Sequence, residues 1–347
     1  MSAQLQEQAA TQSGFLYNAR RQLFQSVPPI PANVRLDGKT VLVTGANVGL
    51  GLACTRHFLE LGAARLIMAV RSISKGEAAA ALFKKEFASA QIDVWQLDME
   101  LPSSVQAFAA RCKADIPRLH VAVLNAGLGK EFFVRTAEGK QRETTLQVNY
   151  LSTVLLAVLL LPLMKPNSSE SDKAPGRLTL ISSDASLGEK LPAVPAGSTI
   201  LDTMDDSSKF EGYQQYARTK LMLNMFTAKL ASDVVSPSEV IINTCNPGAT
   251  KGTGAISAVQ SKIILAVMTL LFAVLGRTPE DAARAYVHAS LVLGAESHGS
   301  FTDWLVRCWP LFMYGDKGRR ATDRLWDETL AELGFANIVD VLKTVKG

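Results

Sequence analysis

The apolar run Val41-Leu42-Val43 passes directly into Thr44-Gly45-Ala46-Asn47-Val48-Gly49-Leu50-Gly51. Helically spaced apolar residues follow, among them Leu52, Ala53, Phe58 and Leu59. A β-prone run that enters a helix through a glycine turn restricts the chain to a βα unit with backbone N–H groups exposed at the helix start. Those groups carry partial positive charge and can meet phosphate oxygens directly. Glycine at 45, 49 and 51 permits the tight turn and a close backbone approach, with Asn47 and Leu50 between them facing the same ligand. The spacing is Gly-x-x-x-Gly-x-Gly, and a glycine trio alone would equally suit a βα loop with capping glycines. The strand before it and the amphipathic helix after it favour a dinucleotide pyrophosphate.

The unit repeats along the chain. Apolar, β-rich runs occur at 40–45, 65–70, 92–97, 119–124, 177–182 and 239–245, with helical patterns at 49–61, 74–88, 102–114, 143–165 and 213–233 between them. Strands alternating with helices of this length predict right-handed βαβ units. The expected fold is α/β, a doubly wound (Rossmann-type), mostly parallel sheet with helices on both faces, in a single domain over 37–305. Residues 1–36, polar and then rich in proline (Pro28, Pro29, Pro31), read as an N-terminal arm, and 306–347 as a C-terminal extension. Residues 184–212 read as a surface insertion and 249–276 as a loop over the substrate. Both follow strands, and ligands of open α/β sheets sit outside the carboxyl ends of strands.

Composition removes several function classes. Lys+Arg 36 against Asp+Glu 32 leaves +4, with no basic patch of the kind nucleic acid requires. Cys54, Cys112, Cys245 and Cys308, like His57, His120, His288 and His298, lack metal-ligand spacing, so no metal site is expected and free thiols in the cytoplasm are. Leu151 to Met164 is strongly apolar but contains Pro162 and reads as a core helix. Ile263 to Leu275 is shorter than the roughly 20 residues a bilayer core needs. It reads as a buried or substrate-facing segment rather than a transmembrane span, with shallow membrane contact as the alternative.

The second βα junction ends at Val70 and Arg71. An acidic residue there would bind the adenosine ribose of NAD, whereas a guanidinium suits a 2′-phosphate. NADP(H) is therefore the expected cofactor, the plainer alternative being that Arg71 is a solvated helix-start residue. Asp98, ending the third run, either contacts the adenine amine or caps the helix after Pro102. Tyr216 and Lys220 stand four residues apart, on one helix face. A phenol of pKa near ~10 is a poor base at neutral pH, and a neighbouring ammonium would favour its phenolate.

Taken in order, Thr44–Gly51, Asp98, Leu124-Asn125-Ala126-Gly127, Asn149, Ile181-Ser182-Ser183, Tyr216 with Lys220, and Asn246-Pro247-Gly248 resemble the short-chain dehydrogenase/reductase family over residues 38–305. The resemblance implies a division of roles. Asn125, Ala126 and Gly127 would steady the sheet beside the adenosine ribose. Asn149 would kink its helix and hold a water contacting Lys220. Ser183 (or its neighbour Ser182) would polarise the substrate oxygen. Tyr216 would be the general acid/base, Lys220 would bind the nicotinamide ribose and tune Tyr216, and Pro247 and Gly248 would shape the nicotinamide pocket. Gly252 occupies a position where the family often has Thr, leaving Thr250 or Thr253 to hold the carboxamide. The implied reaction is hydride transfer from the B face (4-pro-S) to a carbonyl carbon, or its reverse, with a proton relay through Lys220 and the Asn149-held water.

The 33-residue interval from Ser183 to Tyr216 resembles that of the retinol-dehydrogenase-like branch and of fungal reductases for complex secondary metabolites. The expected substrate is a hydrophobic, bulky ketone or secondary alcohol, on account of the apolar 263–275 run and the aromatic cluster Trp304, Trp309, Phe312 and Tyr314. Family habit implies a homo-oligomer paired through the helices at 143–165 and 213–233. A non-redox cyclase or isomerase on the same scaffold, and a cofactor-sensing binding protein, are the rival readings.

Overall fold

The structure, a computed structural model, describes residues 3–166, 173–252, 261, 269 and 273–346. Eight strands form one sheet: β1 (Thr40–Thr44), β2 (Arg65–Val70), β3 (Gln91–Gln96), β4 (Val121–Leu124), β5 (Gly176–Ile181), β6 (Val240–Cys245), β7 (Phe301–Thr302) and β8 (Val306–Arg307). Their order is β3-β2-β1-β4-β5-β6-β7-β8. β1 to β7 are parallel, and β8 returns antiparallel beside β7. The six predicted strands are all present with ends shifted by a residue or two. β7 and β8, two residues each, are too short to leave a periodic signal.

The longer helices, among the described residues, are α1 (Phe15–Phe24), α2 (Gly49–Glu60), α3 (Ile73–Glu86), α4 (Pro102–Asp115), α5 (Thr144–Met164), α6 (Gly212–Asp233), α7 (Pro279–Val287), α8 (Asp316–Glu332) and α9 (Ile338–Val345). Side chains alternate faces along each strand, so every central strand feeds two cores. Val41 and Val43 of β1 pack with Phe58, Phe83 and Tyr286 on one side. Leu42 packs with Phe108, Leu155 and Phe226 on the other. Burial on both faces explains the nearly unbroken apolar strands. Strand order reverses between β1 and β4, which opens a crevice at their carboxyl ends.

Among the described residues, α5 is the only helix long and apolar enough to cross a membrane, and 83% of its most apolar window is buried inside the protein. The C-terminal extension supplies part of that cover. α9 packs on α5 and α8 on α6; Trp326 stacks on Phe226 at 4.8 Å, and Tyr150 Oη meets Thr329 Oγ1 at 2.6 Å. The chain's own C-terminal helices thus cover part of α5 and α6. The reading of 184–212 as a surface insertion needs correction. Within it, Ile200–Met204 is helical and buries Ile200, Leu201 and Met204, its first N–H held by Glu328 Oε2 at 2.7 Å.

Candidate active site

A cleft of about 700 Å³ runs across the carboxyl ends of β1, β4 and β5. At one end lies the glycine turn. Gly45 has φ +66°, and a Cβ on Gly51 would lie 2.2 Å from the Gly45 carbonyl oxygen, so neither position tolerates a side chain. Gly49, φ +53°, would place a Cβ in open space, with Asn47 and Leu50 beside it on the cleft wall. Val48, which precedes α2, provides no side-chain cap to the first helical turn. Amides left uncapped at a helix start facing an open cradle suit a pyrophosphate. Asn125 Nδ2 donates to Thr44 O at 2.9 Å, the Ala126 N–H donates to Thr44 Oγ1 at 2.9 Å, and Tyr286 Oη donates to Asn125 Oδ1 at 3.2 Å. This stitching fixes β4 against the turn.

Arg71, Ser72 and Lys75 line the same end. Arg71 is largely exposed and pairs with Glu100 at 3.0 Å; such a pair is weak and exchangeable. Asp98 both lines the cleft and accepts the Glu100 N–H on Oδ1 at 3.0 Å, so its observed bond caps the turn after β3.

At the other end α5 and α6 bring the polar cluster together. α5 widens into a π-helical turn over Gln147–Ser152, a device common where a helix serves a site. There the buried Asn149 carboxamide accepts the Leu128 N–H at 2.9 Å and donates to the Leu128 carbonyl at 2.8 Å. A Cβ on Gly127 would lie 3.2 Å from Asn149 Oδ1 and 3.3 Å from Lys220 Nζ, so both polar groups close on one glycine. Lys220 Nζ donates to Ile181 O at 2.7 Å and lies 5.7 Å from the Tyr216 ring centre. Ser182 turns its hydroxyl toward the Lys220 carbonyl at 3.3 Å, while Ser183 Oγ accepts the Ala185 N–H and, like Tyr216, lines the cleft. Pro247, Gly248 and Thr250 border this end on the loop after β6, Gly248 with φ +77°.

Burial pushes the Tyr216 phenol up to about 12, partly offset by its bond to Ser183. Burial also pulls the Lys220 ammonium down to about 8. In the protein alone, loss of solvation sets the direction of the shift for both groups.

The cleft is also lined by side chains that the sequence reading passed over, Lys75 and Tyr213 among them. Lys75 lies one helical turn beyond Arg71, and the exposed Tyr213 stands three residues before Tyr216. Both were legible as helix-face neighbours of residues already singled out. The aromatic cluster behaves otherwise. Arg21 and Arg277 both lie over the Trp304 ring, Trp309 Nε1 donates to Gly299 O at 3.0 Å, and none of the four aromatics lines the cleft. Thr253 and most of the 263–275 run lie outside the described residues.

The sheet and the cleft are those of a dinucleotide-binding oxidoreductase. Comparison narrows the class. Residues 39–196 match the family of short chain dehydrogenases. The short chain dehydrogenase opdN of Penicillium oxalicum is 45% identical over 309 residues, covering 86% of this chain and 97% of its own. The short chain dehydrogenase/reductase mfmJ of Annulohypoxylon moriforme is 39% identical over 331 residues, 94% of each chain. A solved short chain dehydrogenase from Salmonella enterica serovar Typhi shares the fold at 23% identity and a TM-score of 0.57, over 80% of this chain and 99% of its own. The chain belongs to the short-chain dehydrogenase/reductase family, with close fungal relatives.

Proposed function

We propose that the protein is an NADP(H)-dependent oxidoreductase that interconverts a ketone and a secondary alcohol on a hydrophobic, bulky molecule. One observation carries the reading: Asn149, Ser183, Tyr216 and Lys220 gather at one end of a cleft whose other end is the glycine turn with Arg71. NADPH, when bound, supplies the hydride to the carbonyl carbon. The chain's residues manage the oxygen. With its pKa near 12, the Tyr216 phenol stays protonated through neutral pH and gives its proton to the developing alkoxide. Ser183 donates to the same oxygen, stabilising charge as it forms. Lys220, still protonated at neutral pH, stabilises the phenolate left behind, and Asn149 holds the wall against which Lys220 rests. Leu128 and Tyr213 line the cleft and give the substrate side its apolar character.

The test is isotope transfer. Incubation with (4S)-deuterated NADPH and a panel of cyclic and long-chain ketones is expected to yield alcohols carrying one deuterium. No label in the alcohols and no oxidation of NADPH, in the presence of demonstrated NADPH binding, would overturn carbonyl reduction of these ketones. A preference for small polar ketones would remove the substrate assignment alone.

Cofactor choice gives a second expectation. Arg71 and Lys75 would take the 2′-phosphate, Arg71 leaving Glu100 to do so. Arg71→Ala is expected to raise KM for NADPH about tenfold, the loss of roughly one charge-assisted contact, without changing KM for NADH. An unchanged NADPH/NADH preference would return Arg71 to the role of a solvated surface residue.

A further inference from the structure

We propose that Gln22 and Arg277, neither of which lines the cleft, are positioning residues for its nicotinamide end, a step that rests on the NADP(H) reading above. The starting point is an inverted helix. A surface helix normally buries its apolar stripe, yet α1 exposes Phe15, Leu16, Leu23 and Phe24 while Asn18, Arg21 and Gln22 are directed into the protein.

The inward residues are fully engaged. Arg21 Nη2 meets Asp303 Oδ2 at 2.7 Å, and Arg307 Nη1 meets the same oxygen at 2.8 Å. Arg307 also donates to Asn18 Oδ1 at 3.2 Å and Gln12 Oε1 at 3.1 Å. Arg21 and Arg277 lie over Trp304, 4.7 and 5.1 Å from its ring centre. Buried charges persist only when paired in this way, so the arm is fixed to β7, β8 and their turn.

From that anchor two side chains grip the backbone of the loop after β6. Gln22 Oε1 accepts the Ala249 N–H at 3.1 Å, and its Nε2 donates to the Ala249 carbonyl at 2.9 Å and to the Leu275 carbonyl at 3.3 Å. Arg277 Nη1 donates to Pro247 O at 3.2 Å and Nη2 to Gln25 O at 3.0 Å. The Arg277 N–H bonds Ala249 O and the Lys251 N–H bonds Arg277 O, both at 3.0 Å, closing a parallel bridge between Thr250 and Arg277. A Cβ on Gly248 would lie 2.2 Å from Arg277 Nη1 and 2.7 Å from Gln22 Oε1. The two side chains therefore press the loop from behind while its front borders the cleft. Pro247, Gly248 and Thr250 owe their placement to an arm more than two hundred residues earlier in the sequence.

The measurement is a pair of affinities on the full-length chain, for NADPH and for adenosine 2′,5′-bisphosphate, which carries the adenine half and does not reach this loop. Gln22→Ala is expected to weaken NADPH about tenfold, equivalent to about 1.4 kcal/mol, and to leave the bisphosphate unchanged. Arg277→Gln, which loses the bond to Pro247 O, is expected to show the same split. Equal weakening of both ligands, or no weakening of NADPH, would overturn the inference. A wild-type protein that binds the bisphosphate and NADPH with no gain from the nicotinamide half would overturn it as well. A wild type that binds neither would take the cofactor reading down with it.

Discussion

Tyr216→Phe is expected to lower kcat for carbonyl reduction by about 10³-fold, within the usual contribution of a positioned general acid, with NADPH affinity retained. The substitution deletes one oxygen and keeps the ring that packs at the head of α6. The phenol is the group whose proton the alkoxide must receive, and burial holds that proton in place with a pKa near 12. Single-turnover oxidation of bound NADPH, followed by absorbance, reads the chemical step directly. A Tyr216→Phe enzyme that oxidises NADPH within about tenfold of the wild-type rate would show that another group or water supplies the proton; substrate consumed with no oxidation of NADPH would favour a non-redox use of the pocket. The same variant should leave thermal stability nearly untouched, since the hydroxyl it removes gains little from burial.

Lys220→Met should separate stability from activity. The ammonium ordinarily titrates near 10.5 and is pulled to about 8 by burial. Between these values the unfolded chain binds a proton that the folded chain has released, so stability rises with pH across that window. Below pH 8 the full cost is present, about 3 kcal/mol from the shift. The lost hydrogen bond to Ile181 O (2.7 Å) returns about 1 kcal/mol of it. Methionine fills nearly the same volume without a charge, and urea unfolding at pH 7 is expected to show a gain of about 2 kcal/mol. The gain should fade as the pH approaches 10.5. Turnover should fall by at least about 10²-fold because nothing then balances the phenolate of Tyr216. A variant less stable than wild type at pH 7 would mean that the buried ammonium is solvated well enough to cost nothing.

Much of the fold was legible because it is written in local patterns. β1 and α2 follow from Val41-Leu42-Val43 and the glycines behind them, and the later strands and helices repeat that grammar. Asn149, Tyr216 and Lys220 could be placed because each occupies a fixed station in that series. The residues the sequence concealed are those whose meaning depends on distant partners. Gln22 belongs to a polar stretch with no pattern of its own, and only its contacts with Ala249 and Leu275 reveal a task. Glu100 gave no hint that it holds Arg71. Trp304, Trp309, Phe312 and Tyr314 suggested a substrate wall because aromatic clusters pack in cores and pockets alike, and sequence does not distinguish the two. Burial is hidden in the same way: spacing shows that Lys220 neighbours Tyr216 but not how far either lies from solvent.

Arg21 and Asp303 are 282 positions apart, and α8 and α9 come later still. A chain emerging from the ribosome completes its glycine turn early and acquires Tyr216 and Lys220 well before its end. It does not yet own the partner to which the arm must bind. Long-range pairings of this kind are made late in folding, and the apolar sides of α5 and α6 stay bare until the last helices arrive. Such surfaces are what holding chaperones recognise. The bracing of the loop after β6 and the cover of α5 and α6 therefore come from the same kind of source, segments far along the chain from the elements they serve.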